Sequence, residues 1–162
     1  MGTKKPNPYP FDLLCYDFDG VMTDNRVYVI QSGMEAVAVN RSDGLAVAAL
    51  RRVGVRQVIM STEENPVVSV RAAKLKILAL QGLDDKAETL NAYVSEHGID
   101  LARTVFIGND VNDLGVMRIV GFSVAPSDAS PTILDIAEHV TRASGGAGVI
   151  REFCDTFYPG VI

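Results

Sequence analysis

Apolar runs and helix-period segments alternate along the chain. Leu13-Leu14-Cys15-Tyr16 is a short unbroken apolar run, as expected of a buried strand. Comparable runs predict strands over 13–17, 55–60, 76–80, 104–108, 121–124 and 138–140. Helical spacing falls between them, over 43–53, 66–74, 85–97, 111–119 and 131–137, with a last helix near 148–157. The punctuation agrees. Asp43 can cap the first helix and Gly54 can end it; Gly98 stands as a helix stop after Glu96-His97. Ser130-Pro131 reads as an N-cap followed by a first-turn proline.

Strands such as Val105-Phe106-Ile107 show no polar face, so both faces are expected to be covered. With helices between them, this predicts an α/β fold around a mainly parallel sheet. One stretch breaks the alternation. Residues 26–39, RVYVIQSGMEAVAV, read as two short strands around Ser32-Gly33, a β-hairpin inserted directly after the first strand. Its Val27, Val29, Val37 and Val39 recur at period two, which would leave an apolar row exposed on a monomer and predicts a contact with other copies. No repeat or linker divides the chain. The expectation is one domain over 11–162, preceded by a loose Pro-rich lead-in over 1–10.

Composition narrows the function classes. The length of 162 residues suits one domain. A net charge of −5 argues against a nucleic-acid partner, which needs a basic patch. It does not exclude a small anion, because a few local cations can outweigh the overall sign. No apolar run approaches the roughly 18 residues of a membrane span, and MGTKKPNPYP lacks the apolar core of a secretory signal. Cys15 and Cys154 lack metal or redox spacing and read as free thiols in a reducing compartment, so a cytoplasmic location is expected.

In open α/β sheets, ligands bind outside the carboxyl ends of the strands. The first strand is followed by Asp17, Asp19 and Gly20, and the second by Ser61, Thr62, Glu63 and Glu64. Asp84, Asp85 and Lys86 precede the third helix. The fourth strand is followed by Gly108, Asn109, Asp110, Asn112 and Asp113. Carboxylates gathered from several strand ends repel one another unless a hard cation joins them. Mg²⁺ takes oxygen ligands and is usually held by one or two carboxylates plus a substrate phosphate. A carboxylate in such a site can also act as a nucleophile, with a second one as acid and base.

DFDGVMTD (17–24), Ser61, Lys86 and IGNDVND (107–113) together resemble the four motifs of the haloacid dehalogenase superfamily of phosphatases. The resemblance covers nearly the whole chain, with the motifs in order at strand ends. It implies a Rossmann-like three-layer sandwich. It also implies Asp17 as nucleophile and metal ligand, and Asp19 as acid/base whose main-chain carbonyl binds Mg²⁺. Ser61 and Lys86 would hold phosphoryl oxygens. The fourth motif departs from the usual pattern: Asn109 stands where an Asp would touch the metal. Asp110 is the expected anionic replacement, with Asp113 behind it and Asn109 as a neutral alternative ligand.

The chain also resembles the capless branch of that superfamily. This branch contains 3-deoxy-manno-octulosonate 8-phosphate phosphatases and the phosphatases of nonulosonic acid phosphates. SGGAGVIREF (144–153) is similar to a Gly-rich segment of that branch. The likeness implies a homotetramer in which a neighbour's hairpin and tail close the site. Thr62-Glu63 stands where the octulosonate side has Gly-Arg, and Lys74 follows, a pattern closer to the nonulosonate side. Thr62, Glu63, Arg71 and Lys74 are therefore candidate contacts to a phosphorylated sugar acid. Lys74 could meet its carboxylate and Glu63 its hydroxyls. Two rivals stay open: octulosonate 8-phosphate hydrolysis, and a non-catalytic assembly module like the phosphatase-like tail of animal cytidylyl-sialate synthetases.

Overall fold

The computed structural model describes residues 9–162. A six-stranded sheet forms the centre. Its strands are β1 (Leu13–Tyr16), β4 (Arg56–Met60), β5 (Leu78–Leu80), β6 (Thr104–Ile107), β7 (Phe122–Ala125) and β8 (His139–Val140). The spatial order is β5-β4-β1-β6-β7-β8, and every pairing is parallel. β2 (Tyr28–Val29) and β3 (Glu35–Ala36) form a separate antiparallel hairpin.

The helices are α1 (Arg41–Arg52), α2 (Val67–Leu75), α3 (Lys86–His97), α4 (Leu114–Met117), α5 (Pro131–Leu134) and α6 (Val149–Phe157). They cover both faces of the sheet. Leu14 and Tyr16 point into one core with residues of α1, α2 and α6. Leu13 and Cys15 point into the other with residues of α3 and α4. All four are fully buried, which is why β1 carries no polar position. Among the described residues no helix is long and apolar enough to cross a membrane. The insertions after β1 and β4 amount to the hairpin and a short loop, and neither is a cap domain.

Three expectations need correction. Asn40, rather than Asp43, caps α1, its side chain accepting from Ser42 N at 2.9 Å. Asp43 lies inside the first turn and accepts instead from Arg151 N of α6 at 2.9 Å. The lead-in is not loose throughout. Residues 1–8 lie outside the described residues, but the Tyr9 ring packs tilted on that of Tyr158 with centroids 5.1 Å apart, and its carbonyl accepts from Arg103. The valines of the hairpin do not form one exposed row: Val27 and Val29, with Tyr28, Ile30 and Met34, are all more than half exposed, while Val37 and Val39 are half-buried against the core. The Gly-rich tail and α6 close this face of the sandwich, α6 lying against α1.

Candidate active site

The chain leaves β1 toward β4 on one side of it and reaches β6 on the other, so β1 sits where the winding reverses. The carboxyl ends of β4, β1 and β6 open side by side there. A cleft of about 130 Å³ lies at this edge, lined by Asp17, Asp19, Asn25, Ser61, Thr62, Asn109, Asp110 and Asn112.

Asp17 continues β1, its amide donating to Ile107 O at 2.9 Å. Its Oδ1 accepts from Phe18 N at 2.8 Å and from Lys86 Nζ at 2.8 Å. Lys86 is the first residue of α3, where a cation opposes the helix dipole. Two buried carboxylates compensate. Besides Asp17, Lys86 Nζ meets Asp113 Oδ1 at 2.6 Å. Burial acts to lower the Lys86 pKa, and the two carboxylates outweigh it, so the ammonium is held charged. One ammonium cannot neutralise both anions. Burial, with Asp113 close by, therefore pushes Asp17 up to about 7.

Asp19 is half-buried. Burial and the nearby Glu63 carboxylate raise its pKa, while Thr23, 3.5 Å from its Oδ1, opposes the rise. A raised pKa suits a carboxyl group that is to donate a proton. Ser61 is buried at the end of β4, and its Oγ accepts from Glu63 N at 3.1 Å.

The fourth motif supplies three residues with different surroundings, and Asp110 lines the cleft. Asp110 turns its carboxylate to its own main chain, accepting from Val111 N at 2.7 Å. Asp113 is fully buried and binds Asn109 N at 2.9 Å as well as Lys86. Asn109 is the residue that faces Asp17 and Asp19. In the metal-free fold its amide nitrogen donates to Asp17 Oδ2 at 3.1 Å and to Asp19 O at 2.9 Å. Turned over, the same amide would offer a hard cation a third oxygen beside those two. Gly20 makes room for it. Its φ is +81°, and a Cβ there would strike the Asn109 amide at 2.0 Å.

The candidate substrate contacts divide. Thr62 lines the cleft. Glu63 reaches Asp19 by its field, but its Oε1 is engaged by the amides of Glu64 and Asn65. Arg71 and Lys74 do not line the cleft. Arg71 Nη2 donates to Asn40 O at 3.1 Å, and Lys74 is exposed in the last turn of α2. Sequence reasoning missed Asn25, which lines the cleft with φ of +63°. An Asn at the hairpin's base is one of the few non-Gly residues suited to that backbone, a faint signal at most.

The sequence profile of the haloacid dehalogenase-like hydrolases matches residues 63–153. The chain belongs to that family. This haloacid dehalogenase-like hydrolase is 34% identical over 144 residues to the 3-deoxy-D-manno-octulosonate 8-phosphate phosphatase of Escherichia coli strain K12, covering 88% of this chain and 77% of the relative. Among solved structures it is similar to a protein of Streptomyces avermitilis assigned to the same hydrolase family. The TM-score is 0.92 and the identity 44%, over 94% of this chain and 88% of that one. It is also similar to the octulosonate phosphatase of Moraxella catarrhalis in complex with magnesium, phosphate and the sugar acid. There the TM-score is 0.89 and the identity 29%, over 92% and 86% of the two chains.

Proposed function

We propose that this hydrolase is a Mg²⁺-dependent phosphomonoesterase that works through an aspartyl-phosphate on Asp17. The observation that carries the reading is the convergence of Asp17 Oδ2 and Asp19 O on the Asn109 amide, about 3 Å from each, with Lys86 buried against Asp17. Asp17, Asp19 and Asn109 would hold the ion, with Asp113 fixing Asn109 from behind. When bound, Mg²⁺ neutralises charge on the phosphoryl oxygens.

The chain's own groups do the rest. Ser61 and Lys86 grip the phosphoryl group and aim phosphorus at the Asp17 carboxylate. As the Asp17 oxygen bonds to phosphorus, the ester bond breaks and Asp19 gives its proton to the departing alkoxide. Asp19 then takes a proton from water. The resulting hydroxide attacks phosphorus, releasing inorganic phosphate and free Asp17. A non-catalytic module would have no reason to keep a buried Lys86 between Asp17 and Asp113.

The substrate reading is a phosphorylated sugar acid. Thr62-Glu63 favours a nonulosonate 9-phosphate; the relatives' activity favours octulosonate 8-phosphate. Glu63 Oε2 is left to accept a sugar hydroxyl. The cleft lining offers no cation for the substrate carboxylate, so that contact falls to an adjoining copy. The exposed apolar hairpin supports such an assembly, read here as a homotetramer. Free, buried Cys15 and Cys154 support a cytoplasmic setting.

Steady-state kinetics with Mg²⁺ on a nonulosonate 9-phosphate, octulosonate 8-phosphate and an aryl phosphate test the reading. Wild type is expected to turn over a sugar-acid phosphate with the highest kcat/KM. Turnover no faster than that of Asp17→Asn on all three would refute it.

A further inference from the structure

The loop that carries Asp19 is backed by the Gly-rich tail of the same chain. A Cβ on Gly145 would lie 2.3 Å from Gly20 O and 2.9 Å from Thr23 O, so main chain rests directly on main chain. Gly146 N donates to Val21 O at 3.0 Å, and a Cβ on Gly146 would lie 2.6 Å from Asp24 N. This contact spans residues 20–24, immediately beyond the Asp19 carbonyl in the proposed metal seat. Within that loop, the amides of Val21, Met22 and Thr23 all turn back to Phe18 O, and Thr23 Oγ1 supports Gly20 N.

The tail is held from its far side by two polar side chains that touch no cleft atom. Asp128, in the loop after β7, accepts from Gly145 N through Oδ1 at 2.8 Å. Asn40, the cap of α1, donates from Nδ2 to Gly146 O at 3.2 Å. The cap itself uses the other amide atom, Oδ1, which accepts from Ser42 N and Ser42 Oγ. Asn40 therefore joins two jobs in one amide.

We infer that Asp128 and Asn40 are positioning residues for Asp19, acting through Gly145 and Gly146 on the loop 20–24. The inference rests on the phosphatase reading only in taking Asp19 as a functional group. The mechanical claim concerns which side chains hold that loop still. A carbonyl in a metal seat must be fixed to a fraction of an ångström, and groups that fix such ligands from outside typically change metal affinity or activity by about 10- to 100-fold.

The variants separate this role from general stability. Asp128→Ala removes the acceptor, and Asp128→Asn keeps it. Asn40→Asp keeps the helix cap and loses the donor to Gly146. Gly145→Ala leaves every side-chain partner in place and pushes on Gly20 O. Amide hydrogen exchange in the metal-free protein should rise about tenfold in peptides covering 18–25 for Asp128→Ala, Asn40→Asp and Gly145→Ala. Peptides from β4 and β6 should not change, and Asp128→Asn should behave as wild type. In Mg²⁺ titration calorimetry the same three variants should bind about tenfold more weakly. Unchanged exchange over 18–25 in these three would overturn the inference, as would a rise shared by the whole chain. If wild type hydrolyses no phosphate ester, the phosphatase reading fails, while exchange still decides whether Asp128 and Asn40 hold the loop.

Discussion

Lys86 Nζ lies 2.8 Å from Asp17 Oδ1, and both side chains are almost wholly buried. A second carboxylate, Asp113, is closer still at 2.6 Å, so the cluster carries one positive and two negative groups. Lys86→Met would leave two buried anions facing each other. Removing one partner of a buried ion pair costs about 3–5 kcal/mol, so urea unfolding at pH 8 should show a loss of that order. Phosphatase activity should fall by more than about 100-fold. Adding Asp113→Asn should recover part of the stability and none of the activity. Full recovery of activity in the double variant would remove Lys86 from the mechanism.

The same cluster makes Mg²⁺ binding visible in pH-dependent stability. The Asp17 carboxyl, ordinarily near 3.8, stands at about 7 in the metal-free fold. Folding therefore disfavours its ionised form. At pH below the unfolded value both states hold the proton and Asp17 contributes nothing. As pH rises from there through 7 the unfolded chain has released it and the folded chain has not, so stability falls with rising pH. A bound cation favours the ionised form and reverses the loss. Differential scanning calorimetry should show a larger Mg²⁺-induced rise in Tm at pH 8 than at pH 5. At Mg²⁺ 100-fold above its Kd the rise at pH 8 should be about 5–10 °C.

The strand ends were legible because buried parallel strands leave no other place for Asp17, Ser61 and Asn109. Period and punctuation located them to within a residue or two. Lys86 was legible only through the family resemblance, as the third of four motifs in order. Less could be read where long-range packing decides. Asn40 and Asp43 are both cap residues by type, and only the seating of α6 on α1 turns Asp43 toward Arg151. The choice between Asn109 and Asp110 depends on which residue the turn after Gly108 aims inward. Gly108 packs so closely on Asp113 that a Cβ would lie 2.7 Å from it, a contact with no counterpart in spacing. Arg71 and Lys74 fit a family pattern, but in one chain α2 carries them away from the cleft lining.

Asp43 offers a pH effect outside the site. It is buried at the start of α1, and burial pushes its carboxyl up to about 6 despite the amides of Arg151 and Ile150. Its Oδ2 and the nearby Arg71 Nε are both buried without a hydrogen-bond partner. The sign is that of Asp17: stability is lost as pH rises from the ordinary carboxylate value through 6. Asp43→Asn keeps an oxygen for Arg151 N and has no charge to bury. It should exceed wild type in stability at pH 8 by at most about 3 kcal/mol, and the gap should close below pH 4. Guanidinium unfolding at the two pH values checks it; an equal gap at both would show that ionisation is not the cause.

Asn109 is the uncharged member of the proposed metal seat, and Asp17, its other side-chain member, already resists ionisation. Asn109→Asp would put a carboxylate against Asp17 Oδ2 and Asp19 O, where the amide now lies about 3 Å from both. Without metal the two anions repel, so the metal-free variant should unfold at lower temperature than wild type above pH 7. With metal the added charge strengthens the site, and the Mg²⁺ Kd should fall about tenfold. Asp110→Ala is the control. Its carboxylate serves Val111 N at the rim of the cleft, so its loss should change Mg²⁺ affinity by less than about threefold. Titration calorimetry with both variants decides between the two residues. Tighter binding in Asn109→Asp with little change in Asp110→Ala places the ligand at Asn109, and a collapse of binding in Asp110→Ala would move it to Asp110.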